Sequence, residues 1–412
     1  MHRFNKFSRS SRPCQFGGES ATLPSVKNNK RLVIAGVMTG TSCDGMDIAA
    51  IEFDGQSWKP LWEVSAPYPA RLRKKVLSVQ NPKFKGSLKD TFSIHRDLGV
   101  WYGTVLKTVI SNVKKSEQPH VIANHGQTVG HYPSDKSGGF TVQLGDPAQI
   151  AAITGLTVVS NFRNGDMAMG GQGAPLAPIF HILLSGLLPE FKKGVAIHNL
   201  GGISNFTYLS PRGEVLACDT GPANVYIDAA TEKVSGGKHK FDLDGKLASQ
   251  GEVDVQALKK MLKHSFFSQP LPKSTGRDDF TSSWFFKQAQ GVSKKNLVPT
   301  ATAFTVESIA RTYENFLDKK RPLEAIYFSG GGTLNPVLMS WLRQRLAPTR
   351  VHTLDEVGFD SRFIEAQAFS YLGFLSLCGH SVNGGWTGAT DFSPPGSITP
   401  GGNWLDVLNR LP

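Results

Sequence analysis

The chain has 412 residues, of which 40% are hydrophobic and 19% charged, a composition typical of a globular protein with room for two domains. No apolar run approaches the ~20 residues that a membrane-spanning helix needs. The formal net charge is +12, and residues 1–30 supply a large part of it. Small anionic substrates explain this balance as well as nucleic acid does, so we expect neither nucleic acid nor a membrane as partner.

The cysteines Cys14, Cys43, Cys218 and Cys378 are widely separated and show no C-x-x-C spacing. This pattern predicts free thiols in a reducing compartment and hence a cytoplasmic protein. Residues 1–30 are rich in Ser, Arg and Lys and lack the apolar core of a secretory signal, so we expect a basic, disordered tail. An organelle transit peptide is the alternative interpretation of this segment.

Apolar strand-like runs alternate with helical patterns along the rest of the chain, which predicts an α/β fold. Strands are predicted at 31–37, 47–54, 120–124, 139–144, 156–160, 194–199, 203–209, 214–218 and 324–328. Helices are predicted at 93–115, 146–153, 175–187, 222–232, 253–264, 299–317 and 335–346. The Gly-, Pro- and Ser-rich stretch 381–403 is predicted to be an ordered loop.

A glycine-rich turn with hydroxyls and carboxylates lies between the first two predicted strands. We call it the first loop; its sequence is Gly40-Thr41-Ser42-Cys43-Asp44-Gly45-Met46-Asp47. Glycines allow close backbone approach to a phosphate, and hydroxyls add donors. Aspartates repel a phosphate unless a divalent cation lies between them, so the loop favours a site for phosphate and metal. An ordinary Asp-Gly hairpin turn is the alternative.

Two later loops fit the same interpretation. Asp219-Thr220-Gly221 follows a predicted strand and precedes a predicted helix, which would place the Asp219 carboxylate at the N-terminus of that helix. Gly330-Gly331-Gly332 follows another strand and precedes the helix predicted from Asn335. Glycine-rich turns at helix starts are anion or nucleotide sites. Three such loops, far apart in sequence, predict a cleft assembled from two halves of the chain.

Together these loops resemble the sugar-kinase, heat-shock-ATPase and actin superfamily. The first loop is similar to its first phosphate loop, the Asp219 segment to its second, and the Gly330 segment to its adenosine loop. The G-x-x-x-x-G-K-[ST] motif of P-loop kinases and the motif set of protein kinases are absent from the sequence.

Within that superfamily the chain resembles the anhydro-N-acetylmuramic acid kinase family over about residues 31–412. Besides the first loop and Asp219-Thr220-Gly221-Pro222, the resemblance rests on blocks at 124–128, 143–146, 161–166, 170–176, 199–205, 272–277 and 365–369. Cys43, Ala223 and Asp278 depart from the residues usual in the family.

The resemblance implies a two-lobed, actin-like ATPase fold, a duplicated ribonuclease H-like fold with a cleft between the lobes. We expect a tail over 1–30, a first lobe of 31–160 plus about 388–412, and a second lobe of 161–387. The implied reaction opens the 1,6-anhydro ring of anhydro-N-acetylmuramic acid with water and phosphorylates O6 from ATP, with Mg²⁺ as cofactor. The product, N-acetylmuramic acid 6-phosphate, would belong to the recycling of cell-wall sugars.

The implied roles fall on named residues. Asp219 is expected to be the general base for the attacking water, with capping of the following helix as its structural alternative. All eight residues of the first loop, with Gly330, Gly331 and Gly332, are expected to bind the nucleotide. Asp44 is expected to hold Mg²⁺, and for Asp47 a metal role and a structural role in the turn stay equally open.

The sugar is expected to contact six polar residues, namely Gln127, Arg163, Asp166, Gln172, Arg277 and Glu365. Segment 161–173 has the composition of a loop that buries little, and Arg163 or Arg277 could pair with the lactyl carboxylate. His125 is interpreted as a core or supporting residue rather than a ligand. Glu365 is placed on a helix that ends at 366–369.

Three other functions remain open from the sequence. One is a kinase of the same superfamily for another sugar or small molecule, another is an actin-like ATPase that assembles without a small substrate, and the third is a degenerate nucleotide binder. The polar segment at 161–173 favours a sugar pocket over filament assembly. A homodimer is compatible with the resemblance, and the oligomeric state stays open.

Overall fold

In the computed structural model the described residues are 14–15, 31–55, 57–81, 83–133, 138–270, 273, 275, 279–316, 321–380, 386–389 and 396–411. They divide into two compact units. Unit 1 runs to Gly186 and resumes at Phe363, and unit 2 is Leu187–Arg362. Among the described residues, no helix is both long and apolar enough to cross a bilayer.

Unit 1 contains a mixed sheet with helices. Its strands are β1 (Cys14–Gln15), β2 (Leu32–Thr39), β3 (Gly45–Phe53), β4 (Ser57–Pro67), β5 (Val121–Tyr132), β6 (Phe140–Leu144), β7 (Thr157–Ser160) and β13 (Ser397–Thr399). Its helices are α1 (Ala70–Val79), α2 (Leu88–Asn112), α3 (Pro147–Thr154), α4 (Phe162–Ala168), α5 (Pro178–Ser185), α11 (Ile364–Leu377) and α12 (Trp404–Leu408).

Unit 2 contains a second, smaller sheet. Its strands are β8 (Val195–Leu200), β9 (Ile203–Leu209), β10 (Val215–Pro222), β11 (Ala325–Ser329) and β12 (Arg350–Thr353). Its helices are α6 (Asn224–Ser235), α7 (Val255–Met261), α8 (Ser282–Gln288), α9 (Leu297–Phe316) and α10 (Pro336–Arg345). Helix α9 packs against α6, α10 and β10, and its Phe304 lies in a buried aromatic cluster with Tyr226.

The two sheets repeat one topology. In unit 1 the strand order β4-β3-β2-β5-β7 is antiparallel across β4-β3-β2 and parallel across β2-β5-β7. In unit 2 the order β10-β9-β8-β11-β12 has the same directions. If the five core strands of each unit are renumbered 1 to 5 in chain order, both sheets have the strand order 3-2-1-4-5. This is the ribonuclease H-like arrangement. The predicted α/β class and the duplicated fold are confirmed.

Helix α11 forms part of the core of unit 1, where it packs on β2, β3 and β5. Every residue of the helix except Glu365 is buried. The helix approaches β2 so closely that a Cβ at Gly36 would lie 1.9 Å from the Ala366 carbonyl oxygen. Ser370 Oγ accepts from the Gly36 N–H at 2.8 Å and donates to the Ala49 carbonyl at 2.8 Å, so this contact also satisfies buried polar groups.

The unit boundaries differ from the predicted ones. Segments 161–186 and 363–387 were expected in the second lobe, but their described residues belong to unit 1. The physical reason is the packing of α4 on β6 and of α11 on β2, β3 and β5. The site residues predicted on these segments therefore belong to the same unit as the first loop.

Three local predictions are wrong. Segment 161–173 contains helix α4, whose Phe162 is buried, rather than a continuous loop. Glu365 lies in the first turn of α11 and not near its end. Asp219 lies inside β10, and α6 begins only at Asn224 with Ala223 as N-cap, so Asp219 neither starts nor caps that helix.

The structure describes the predicted tail only in part, and one predicted site residue lies outside the described residues. Within 1–30, Cys14 and Gln15 pair antiparallel with Trp58 and Ser57, so this short piece of the tail is a strand. The rest of the tail and Arg277 lie outside the described residues.

Candidate active site

The first loop connects β2 to β3 as a tight turn. The Cys43 N–H donates to the Gly40 carbonyl at 3.1 Å, and Cys43 has the left-handed φ of 53°. Thr41 and Asp44 are exposed, whereas the side chains of Cys43 and Met46 are fully buried in the core of unit 1. Cys43 and Met46, both predicted to bind nucleotide, therefore have only backbone atoms to offer.

The two aspartates of the first loop have different surroundings. The Asp44 side chain is exposed and makes no hydrogen bond or ion pair with described residues. Asp47 accepts a short hydrogen bond from the Ser65 hydroxyl on β4. Asp44 is therefore the carboxylate that is free for a cation, and Asp47 is tied into the sheet. Among the described residues, no three His, Cys, Asp or Glu side chains form a group that could hold a metal ion.

Arg163, His125 and Glu365 form a polar cluster in unit 1. Arg163 Nε donates to His125 Nε2 at 2.9 Å, and Arg163 Nη1 donates to the Gly173 carbonyl at 2.7 Å. Burial, with the positive charge of Arg163, holds the pKa of His125 well below its usual value, so His125 is neutral and accepts this bond. His125 is thus a buried partner of Arg163, and the supporting role expected for it stays a prediction.

Glu365 has an unusual environment for a residue with solvent access. The protein packed around it desolvates its carboxylate and raises the pKa of Glu365, the positive charge of Arg163 opposes that rise, and Asp47 adds to it. The pKa of Arg163 is lowered by desolvation, which Glu365 and Asp166 oppose. Asp47, Arg163 and Glu365 are thus electrostatically coupled, although they are far apart in sequence.

Asp166 has a structural position within unit 1. Asp166 Oδ2 accepts from the Gly173 N–H, and Asp166 Oδ1 accepts from the Thr387 hydroxyl, each at 2.6 Å. Both carboxylate oxygens therefore have protein partners, so Asp166 shapes the segment that holds Arg163. The Gln172 side chain is half-buried and makes no hydrogen bond with described residues, which leaves its amide free for a ligand.

Gln127 is not available to a sugar in this structure. It is fully buried, its Nε2 donates to the Gly40 carbonyl at 3.0 Å, and its Oε1 accepts from the Tyr68 hydroxyl at 3.2 Å. The predicted substrate contact is therefore replaced by a contact with the first loop. The reason is that β5 continues through Gln127 and directs it into the core.

Asp219 is half-buried on β10 of unit 2. Its Oδ2 accepts from the Thr275 N–H at 2.8 Å, and its own N–H donates to the Lys273 carbonyl at 3.2 Å. Lys273 is 6% exposed and electrostatically coupled to Asp219. The Asp219 carboxylate therefore has a backbone N–H donor and a nearby buried lysine in place of the helix N-terminus that the sequence predicted.

A buried hydrogen-bond network lies next to Asp219. Thr220 Oγ1 donates to Ser204 Oγ at 2.6 Å, and His198 Nε2 lies 2.6 Å from the same hydroxyl oxygen. The other ring nitrogen of His198 lies 2.8 Å from the Tyr313 hydroxyl oxygen. Desolvation lowers the pKa of His198 to about 3, so the ring is neutral. The network fixes the segment of β10 that presents Asp219.

The turn between β8 and β9 was missed as a site element, although 199–205 was recognised as a block of the family. Gly201 and Gly202 form this turn, and their carbonyls accept from the N–H groups of Asn224 and Ala223 at 3.0 and 2.9 Å. By strand order β8–β9 corresponds to β2–β3, so this Gly-Gly turn, and not the Asp219 segment, is the counterpart of the first loop. Two glycines between apolar strands were the signal that could have identified it.

The Gly330 segment packs against the end of β8, which precedes that turn. Gly330 has φ of +85°, and a Cβ on it would lie 2.3 Å from Asn199 Oδ1. A Cβ on Gly332 would lie 2.6 Å from Leu200 Cβ, whereas Gly331 is exposed and has open space around it. The backbone of 330–332 can lie beside the end of β8 because Gly330 and Gly332 carry no Cβ.

The repeated ribonuclease H-like sheet, with a glycine turn after the first core strand of each unit, defines the class of actin-like ATPases and sugar kinases. The family model described as anhydro-N-acetylmuramic acid kinase matches residues 32–401. The chain belongs to this family.

Two curated relatives agree with this assignment. A Gloeobacter violaceus protein named anhydro-N-acetylmuramic acid kinase is 40% identical over 380 residues, which cover 89% of this chain and 98% of the relative. A protein of that name from Caldanaerobacter subterraneus is 34% identical, with 87% and 94% covered. Among solved structures, the Acidaminococcus fermentans (R)-2-hydroxyglutaryl-CoA dehydratase component A aligns with a TM-score of 0.41 at 12% identity, covering 83% of this chain and 99% of that one.

Proposed function

We propose that this chain is an ATP-dependent kinase that opens the 1,6-anhydro ring of anhydro-N-acetylmuramic acid and phosphorylates O6. The observation that carries the proposal is the family match over 32–401, together with the Asp219 carboxylate that the Thr275 N–H binds. A place in the recycling of cell-wall sugars would follow from the nature of this substrate.

Asp219 would act as the general base. It would take a proton from the water that attacks the anomeric carbon, the C1–O6 bond would break, and O6 would accept the γ-phosphoryl group as ADP leaves. The Thr275 N–H holds the Asp219 carboxylate at 2.8 Å, which orients the base and favours its ionised form before the water attacks.

The phosphates of ATP would be bound by backbone N–H groups. In unit 1 the turn 40–44 exposes Thr41 and Asp44, and in unit 2 Gly201 and Gly202 form the corresponding turn. Glycine turns of this kind display donors without side-chain interference. Residues 330–332 would lie against the adenosine.

The Asp44 carboxylate fits a role in binding Mg²⁺, because it is exposed and makes no bond with described residues. A bound Mg²⁺ would neutralise charge on the transferring phosphates. One carboxylate suffices, since Mg²⁺ keeps several waters and phosphate oxygens as ligands.

The sugar would contact Arg163, Gln172 and Glu365. Gln172 has a free amide, and Glu365 has solvent access beside the Arg163 guanidinium. Arg163 uses Nε and Nη1 within the protein, so Nη2 would be the donor for the lactyl carboxylate. Asp166 and His125 would hold Arg163 in place rather than touch the sugar.

The test is incubation of the protein with ATP, Mg²⁺ and the anhydro sugar in heavy-oxygen water, with mass detection of the product. We expect a product that has gained both water and a phosphoryl group, with the heavy oxygen on C1. Phosphorylation of a plain hexose but not of the anhydro sugar would contradict the proposed substrate. A product that has gained the phosphoryl group alone would contradict the ring opening.

A further inference from the structure

All five carbonyl oxygens of the turn 40–44 accept hydrogen bonds from the protein. Gln127 Nε2 and the Cys43 N–H donate to the Gly40 carbonyl, and Cys43 Sγ donates to the Thr41 carbonyl. Arg73 Nη2 donates to the Ser42 carbonyl and Arg73 Nε to the Cys43 carbonyl. The Tyr68 N–H donates to the Asp44 carbonyl. The shortest of these bonds, from Arg73 Nε to the Cys43 carbonyl, is 2.8 Å, and the Cys43 thiol contact, at 3.6 Å, is the weakest.

This arrangement determines where the N–H groups of the turn point. In a planar trans peptide the C=O and the next N–H point in opposite directions. Because the carbonyls of Gly40 and Cys43 are turned towards Gln127 and Arg73, the N–H groups of Thr41 and Asp44 face away from these side chains. The N–H groups of Thr41, Ser42 and Asp44 donate to no described residue. The turn therefore presents free donors while its acceptors are occupied, which is the electrostatic requirement of an anion site.

Arg73 holds the C-terminal half of the turn. It lies in the first part of α1, and its Nε and Nη2 bind the carbonyls of Cys43 and Ser42 at 2.8 and 3.3 Å. A guanidinium can make both bonds because its donors are fixed in a planar fork. Arg71 is on the same helix and is also exposed, but it makes no hydrogen bond to the turn.

Gln127 holds the N-terminal half. Gln127 is fully buried, and the Tyr68 hydroxyl bonds to its Oε1, which leaves Nε2 facing the Gly40 carbonyl. Tyr68 thus contributes twice, through its hydroxyl and through its N–H to the Asp44 carbonyl at 3.4 Å.

We infer that Arg73 and Gln127 are positioning residues that hold the turn 40–44 ready to bind the β- and γ-phosphates of a nucleoside triphosphate. The inference rests on the proposed function, in which this turn binds ATP, and adds the side chains that organise it. Neither residue touches the phosphates. Each residue binds carbonyl oxygens of the turn. The N–H groups of the same peptide units then point to the opposite side, where the phosphates would bind.

The test compares R73A with R71A, which removes an equal charge from the same helix but no bond to the turn. In R73A we expect the KM and the Kd for ATP with Mg²⁺ to rise about tenfold, because two charge-assisted bonds that order the turn are lost. The KM for the sugar should not change, and added guanidinium should restore part of the ATP affinity. R73K keeps the charge without the fork and should fall between R73A and the wild type.

A second measurement does not depend on turnover. The backbone amide NMR signals of Thr41, Ser42 and Asp44 should shift when ATP and Mg²⁺ are added to the wild-type protein and to R71A, and shift much less in R73A. Y68F removes the hydroxyl that holds the Gln127 amide but keeps the aromatic ring. The Gln127 amide can then rotate, and the KM for ATP should rise by about threefold. Q127M, which removes the donor, should raise it further. An unfolding curve for each variant confirms that it is folded.

The outcomes separate the two proposals. If the wild-type protein phosphorylates the sugar and R73A binds ATP as R71A does, the positioning role is wrong and the proposed function stands. If R73A and R71A are equally weakened, the effect is one of general charge, and the inference is also overturned. If the wild-type protein neither binds ATP nor shows shifts at these amides, both proposals fail.

Discussion

Arg163 Nε donates to His125 Nε2 across 2.9 Å, between the short helix α4 and the central strand β5. This bond needs a neutral imidazole, and the lowered pKa of His125 provides one. Arg163 therefore uses two of its donors inside the protein, and its positive charge is coupled to the carboxylate of Glu365. A buried histidine thus determines the orientation of a cation beside a carboxylate, and this leads to a prediction about that carboxylate.

Arg163 and Asp47 should shift the pKa of Glu365 in opposite directions. R163Q removes the positive charge that lowers this pKa, so the pKa should rise further above its ordinary value. D47N removes the negative charge that raises it, so the pKa should fall. The side-chain carboxyl carbon signal of Glu365, assigned by its loss in E365Q, reports both shifts by NMR. Shifts of the same sign in the two variants would contradict the electrostatic coupling.

Replacing Asp219 by Asn should reduce turnover by about 10²–10⁴-fold, the range that a general base contributes. The amide oxygen of the new side chain can still accept from the Thr275 N–H, so the local structure should be kept. ATP affinity, measured by calorimetry, should stay within a factor of about two, since no phosphate contact is removed. Near-normal turnover in D219N would show that another group activates the water.

Gly330→Ala should destabilise the protein by about 2 kcal/mol or more, because a positive φ and a close contact are combined at this position. The new Cβ would lie 2.3 Å from Asn199 Oδ1. Gly331→Ala is the matched control, since its Cβ would meet open space and its φ is not in the left-handed region. Denaturant unfolding should separate the two variants. Equal stability would mean that the Gly330 segment is free to move away from β8.

His198 should make unit 2 less stable in acid. Its pKa is lowered to about 3 in the folded protein, below the ~6.5 of an unfolded chain, so the unfolded state binds the extra proton between these values. The stabilisation is therefore complete above about pH 6.5 and is lost as the pH falls towards 3, by about 2 kcal/mol at pH 5. Unfolding of wild type and H198Q from pH 7.5 to 5 should give a smaller loss for the variant. Parallel curves would contradict this assignment.

Strands with an apolar run could be predicted from the sequence. A strand that contains a proline and a helix without an amphipathic period could not. Strands β2, β8 and β9 were predicted within two residues at each end. Strand β4 was missed because Pro60 is unusual in a strand; here it is accommodated at an irregularity in the pairing with β3. Helix α11 was predicted only as a helix that ends at 366–369, because it is buried on nearly all sides and lacks the amphipathic period that identifies a surface helix.

The site was predictable in its backbone motifs and not in its side-chain partners. The first loop and the Gly330 segment were found because clustered glycines after an apolar run are typical of tight turns. The bond from Thr387 to Asp166 joins residues 221 positions apart, and no local pattern indicates it. Gln127 was assigned to the sugar because a polar residue after a strand is typical of a site, but the strand continues and buries it.

The chain order of the units has a consequence for synthesis. Unit 2 is complete at Arg362, but α11, which covers β2, β3 and β5 in unit 1, follows it. At ribosomal rates of about 5–20 residues per second, this apolar sheet face therefore waits about 10–35 s for its covering helix while unit 2 is made. A chain ending at residue 362 should keep a protease-resistant unit 2 and lose protection of unit 1. The nascent protein thus carries an aggregation hazard that ends only when the segment after unit 2 has left the ribosome.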